Sequence, residues 1–157
     1  MVNYKITKTL FGERPEFPKP DPEFMLAIGG EAGMQKLFDT FYDLITESEI
    51  AHFFPQDEEE MQLVKERNTK YFIEFFGGTK EYSTIPDKSM DIIKMHINFS
   101  ITEKARYLWL GVVQDILEDL EIKDELKQGF WNTFESFSKW TVNRDTKTKT
   151  YEDMVKV

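Results

Sequence analysis

Two Gly-Gly pairs, Gly29-Gly30 and Gly77-Gly78, cut this sequence into stretches whose apolar residues recur every three or four positions. That period belongs to helices with one buried face. Between the pairs, Met34, Leu37, Phe38, Phe41, Leu44 and Ile45 mark a helix over about 31–46. Met61, Val64, Asn68, Phe72 and Phe75 mark a second over about 57–76, opened by the acids Asp57–Glu60. A short helical segment at 23–28 precedes the first glycine pair. After the second pair come a loop over 79–88, a short helix ending at His96, a helix running to about 120, and a last one over 123–142. Ser100-Ile101-Thr102-Glu103 has the form of a capping box and predicts a helix start right after His96. No alternating pattern of strand length occurs, so the predicted class is all-α, with five or six helices.

At 157 residues the chain suits one domain with a real core. Its expected parts are an N-terminal extension at 1–22, a helical domain at 23–143 and a polar tail at 144–157. Pro15, Pro18, Pro20 and Pro22 keep the extension from coiling, which predicts a surface arm or linker, or less simply a docking arm. A net charge of -9 argues against nucleic acid and anionic membranes. No stretch is apolar enough to span a bilayer, and the N-terminus lacks a signal-peptide pattern. The absence of cysteine removes disulfides, thiolate metal sites and thiol catalysis, and fits a cytoplasmic protein.

Against this background a few polar residues stand out. His96 shares a helical face with Ile92 and Ile93, so an imidazole sits on an apolar surface. Asn68 interrupts an apolar stripe, where an unpaired amide would cost a few kcal/mol. Tyr42, four residues after Phe38, can bury its ring and aim its hydroxyl inward. On spacing alone a satisfied core histidine is the usual reading of His96 and ordinary aromatic core that of Tyr42 and Trp109, while Asn68 could equally be a helix–helix tie. His52 reads as a surface corner. No phosphate loop, nucleophile elbow, glycosidase pair or di-iron motif is present.

The order and spacing of several pieces is similar to the truncated (two-over-two) haemoglobins, most like group II. The pieces are Ile28-Gly29-Gly30-Glu31, Phe41-Tyr42, Phe53-Phe54-Pro55, Phe76-Gly77-Gly78 with Tyr82, His96-Ile97-Asn98-Phe99-Ser100-Ile101, and Trp109-Leu110 thirteen residues after the histidine. The resemblance covers about 24–142. It implies a globin-like helical sandwich around haem b, with His96 as proximal iron ligand. It also implies Tyr42, Trp109, Asn68 and Val64 on the distal side, with Phe54, Phe72 and Phe99 lining the pocket. Arg67 and Lys94, or Lys88, would meet the propionates.

The implied function is reversible binding of O2, NO or CO. A redox enzyme, NO dioxygenase or peroxidase, would use the same pocket with a reductase, and a haem-free helical interaction protein is the rival from another class. Two departures concern the histidine. Asn98 and Ser100 stand where the family has prolines, so a looser loop is expected after His96. Met95 replaces the usual arginine before it. Two extra residues ahead of the 57–76 helix also put its register in question.

Overall fold

A computed structural model describes residues 1–9, 12–86 and 91–144. Among these residues the regular elements are all helical. They are α1 (Pro22–Ala27), α2 (Gly30–Thr46), α3 (Glu58–Phe75), α4 (Ile92–His96), α5 (Glu103–Glu118) and α6 (Asp124–Phe137), with short 3-10 turns at Ala51–Phe53, Tyr82–Thr84 and Ser138–Thr141. The predicted helices are all found, with ends moved by a few residues. α1 begins at Pro22 itself, because proline suits the first helical position and Asp21 caps it by accepting from the Glu23 N–H.

α2 packs on α3, α5 packs on α6, and α2 crosses α5, which joins the two pairs into a two-over-two sandwich. The core between them is aromatic: Phe38 and Phe72 stack at 4.4 Å, and Phe130 and Phe134 at 4.0 Å. Such pairs each add about 1 kcal/mol beyond the area they bury. α3 is buried more widely than its stripe predicts, because Thr69, Tyr71 and Ile73 are covered as well.

The two glycine pairs do what the sequence asked of them. At the end of α3, Gly77 takes φ +90°, its N–H meets the Glu74 carbonyl, and the Gly78 N–H reaches back to the Ile73 carbonyl. This double return stops a helix with its last carbonyls satisfied. A further glycine matters for packing: a Cβ on Gly33 would lie 2.0 Å from the Ile28 carbonyl oxygen, so only glycine lets α2 pass the end of α1.

One cap differs from expectation. The start of α5 is capped by Thr102, whose hydroxyl accepts from the Ala105 N–H at 3.2 Å. Ser100 instead accepts from the Arg144 side chain, and Glu103 faces Arg106 and the Thr9 N–H. The Ser100 capping box therefore does not form, because Glu103 is taken by a buried cation.

The N-terminal segment is extended and lies along α5 and α6. Trp131 and Trp140 donate their indole N–H groups to the Lys5 and Pro15 carbonyls, and Tyr4 meets Trp131 edge-on. Beneath it lies Arg106, 1% exposed, which donates to Ser138, to the Thr7 and Glu135 carbonyls, and to the Glu103 and Glu135 carboxylates. Thr7 and Thr9 of the segment bond the same two carboxylates. No helix among the described residues is long and apolar enough to cross a membrane. Residues 145–157 of the expected polar tail lie outside the described residues.

Candidate functional site

Tyr42 reaches the site from α2, on the buried stripe one turn after Phe38, and is 4% exposed. Asn68 comes from α3, and its amide donates to the Tyr42 hydroxyl oxygen at 3.1 Å. This is the partner that a polar residue inside an apolar stripe requires. Burial pushes the Tyr42 phenol well above its ordinary value; the Asn68 hydrogen bond and the Arg67 charge work against that shift. The phenol therefore stays neutral. Because Asn68 donates to its oxygen, the hydroxyl proton is available to a third party.

Phe54 stands edge-on to Tyr42 at 5.9 Å, and Phe41 touches both Tyr42 and Trp109, at 5.0 and 5.8 Å. Trp109 projects from α5 and stacks on Phe134 at 5.6 Å. Among the described residues its indole N–H has no acceptor, and the one buried side-chain polar atom without a partner there is the Thr9 hydroxyl. The Trp109 N–H is thus not sealed within the core. Val64, one turn before Asn68, packs half-buried at the edge of the core, whereas Phe72 lies within it, against Phe38 and Phe134. Tyr42, Asn68, Trp109 and Phe54 are brought together.

On the other side, Asp91 opens α4 by accepting from the Ile93 and Lys94 N–H groups. Four residues after Ile92, the His96 Nδ1 donates to the Ile92 carbonyl at 2.7 Å. That bond puts the proton on Nδ1 and leaves the Nε2 lone pair open. Burial lowers the His96 pKa, and the bond to Ile92 only partly offsets it, so the ring is neutral. The helix face differs in one respect from the spacing argument. Ile92 and Met95 are half-buried beside His96, but Ile93 is 37% exposed, because so short a helix buries only a narrow strip.

The 3-10 corner at Ala51–Phe53 links the two sides: Phe53 meets Phe99 at 6.0 Å and the next residue, Phe54, meets Tyr42. His52 is exposed at this corner, bonded to the Glu49 carbonyl. Arg67 is half-buried, with no ion-pair partner among the described residues; Lys94 is exposed, and Lys88 lies outside them. The loop after His96, expected to be loose, is tied by Asn143, whose amide nitrogen donates to the His96 and Phe99 carbonyls and whose oxygen accepts from the Ile101 N–H. Asn143, Arg106 and Glu135 were not read from the sequence. Arg106 carried a signal, since it falls in the same helical row as Leu110, Val113 and Leu117.

Whether these residues suit a haem can be judged from the donors. No group of three or more His, Asp or Glu that could hold a bare metal ion occurs among the described residues. A single neutral imidazole holds iron well only when a macrocycle fills the equatorial positions. The half-buried Phe53, Phe54, Val64, Ile92, Met95, Phe99 and Trp109 are apolar side chains that such a flat apolar group would cover. The residues fit the group. Two grooves, of about 600 and 370 Å³, include neither Tyr42 nor His96.

Comparison with known proteins agrees with this fold. Residues 24–143 match the family of bacterial-like globins. No curated protein sequence matches. Among solved structures, phosphate-bound Hell's gate globin IV is 27% identical, with 90% of this chain and 88% of that one covered and a TM-score of 0.77. The haemoglobin of the thermophilic phototrophic bacterium Chloroflexus aurantiacus is 24% identical over 77% of this chain and 98% of its own, with a TM-score of 0.68. The group II truncated haemoglobin of Bacillus anthracis is 22% identical over 76% and 95%, again with a TM-score of 0.68. The chain belongs to the bacterial-like globin family and has the fold of the truncated haemoglobins.

Proposed function

We propose that this globin holds haem b through His96 and binds O2, NO or CO reversibly. The observation that carries the reading is the His96 imidazole: it is neutral, its tautomer is fixed by the Ile92 carbonyl, and its Nε2 is open in apolar surroundings. Haem, when bound, supplies an iron with one coordination position left for a diatomic ligand. Tyr42 and Trp109 present two O–H and N–H donors to that position, with Asn68 holding the Tyr42 oxygen from behind. Donors in a dry pocket favour a ligand whose outer atom gathers negative charge more than they would in water. Val64, Phe54 and Phe99 exclude water, and Arg67 and Lys94 offer charge to the propionates. A chain without cysteine suits the cytoplasm.

The test is the visible spectrum. The wild type should take up haemin and show a Soret band, with ferrous, O2 and CO forms to match, and His96→Ala should lose the five-coordinate ferrous spectrum. A protein that stays colourless with haemin overturns the proposal. The second donor beside Tyr42 favours one alternative, a redox role such as NO dioxygenase or peroxidase with an external reductase. Stopped-flow mixing of the O2 form with NO, followed by the re-reduction rate, separates that role from simple gas binding.

A further inference from the structure

After His96 the local restraint is a single turn, the Phe99 N–H donating to the His96 carbonyl at 3.1 Å, since Asn98 and Ser100 stand where prolines would restrict the backbone. The long-range restraint comes from residue 143. Its side chain makes three hydrogen bonds: Nδ2 donates to the His96 carbonyl at 3.2 Å and to the Phe99 carbonyl at 2.8 Å, and Oδ1 accepts from the Ile101 N–H at 2.9 Å. The Asn143 and Arg144 backbone N–H groups both donate to the Ile101 carbonyl, at 3.0 and 3.2 Å. The Arg144 side chain donates to Ser100. The last carbonyls of a helix have no partners inside it. Asn143 therefore caps α4 at its final residue and, with the same amide, fixes the chain that enters α5.

We propose that Asn143 is the positioning residue for His96, setting the orientation that the imidazole presents to iron. This rests on the reading of His96 as the iron ligand. The ring is locked to α4 through the Ile92 carbonyl, so ring and helix turn together. α4 has only five residues and no helix hydrogen-bond ladder long enough to hold its own direction. Its C-terminal end is fastened to Asn143, and the 3-10 turn Ser138–Thr141 packs against it. Of the residues of this length only asparagine offers one acceptor and two donors at once. Aspartate would keep the bond from Ile101 and lose both donors to the carbonyls.

The experiment compares wild type, Asn143→Asp, Asn143→Ala and His96→Ala as haem-loaded full-length proteins. Resonance Raman spectra of the ferrous form should show the iron–histidine stretching band shifted or broadened in Asn143→Asp. Transfer of haemin to an acceptor globin should quicken about fivefold, the factor that one net hydrogen bond makes. If His96→Ala keeps the wild-type ferrous spectrum, the ligand reading itself fails. If His96→Ala loses it while Asn143→Asp keeps the wild-type band and haemin transfer rate, only the positioning role is overturned. A lowered melting temperature with both of those unchanged overturns it equally, as a purely structural effect. Should Asn143→Ala not fold, amide exchange in the wild type decides: slow exchange at Ile101 supports the clamp, and exchange at an open-loop rate overturns it.

Discussion

Arg106 and Tyr42 are both deep in this molecule and both polar, yet their surroundings are opposite. The Arg106 guanidinium spends its donors on Ser138, Thr7, Glu103 and Glu135, and the two carboxylates also bond Thr7 and Thr9. The guanidinium has no donor left for a ligand, and among the described residues only the neighbouring Thr9 hydroxyl is buried without a partner. The Tyr42 hydroxyl proton, the Trp109 N–H and, on the other side, the His96 Nε2 have no partner among the described residues. A closed set of partners suits a group that organises the fold, and an open set suits the ligand-binding role proposed above. The difference also explains why one region is continuous with the N-terminal segment while the other is lined by half-buried aromatics.

The comparison can be broken most forcefully from the Arg106 side. Glu135→Ala should leave a buried cation short of a partner and cost about 3 kcal/mol in urea unfolding. The haem spectrum and gas kinetics should hardly change. If they change as much as stability does, the two regions are not separable. On the opposite side, Trp109→Phe should raise the O2 dissociation rate about tenfold, equivalent to roughly 1.4 kcal/mol, and leave unfolding nearly unchanged. An unchanged rate would make Trp109 plain core.

The smallest effect sharpens where the proposed ligand side ends. Tyr71 meets Tyr82 edge-on at 5.2 Å, and burial first, then the neighbouring Tyr82 and Glu74, push its phenol up to about 12. The unfolded chain releases that proton near pH 10. Between roughly 10 and 12 the folded state holds more protons, so stability is present below 10 and falls as the pH rises. Melting curves of Tyr71→Phe should therefore show about 1 kcal/mol less alkaline loss at pH 11 than wild type, with gas rates unaltered. A change in those rates would extend the ligand side beyond Tyr42 and Asn68.

How much of this could be read in advance depends on distance along the chain. Tyr42 and Asn68 sit on long periodic helices, where spacing alone fixes the face, and an amide in an apolar stripe announces a partner. The family resemblance rested on the same local pieces. The Asn143 clamp joins residues 47 positions apart across a helix pair, and no periodicity reports that. The Arg106 cluster was hidden for a related reason: its i, i+3 pairing with Glu103 is local, but Ser138 and Glu135, about thirty positions on, are brought to it only by the fold. Prolines correctly gave the extended N-terminal backbone but not its seat, which is set by two indole N–H groups on residues that read as helix and helix end.

That seat has a consequence for synthesis on the ribosome. These residues emerge long before what they bind: Thr7 meets Glu135, Lys5 meets Trp131 and Pro15 meets Trp140, each at least 125 positions on. Closing so long a loop is slow and gains nothing until α6 is complete. The segment therefore leaves the tunnel well before α6 and docks only once α6 is complete.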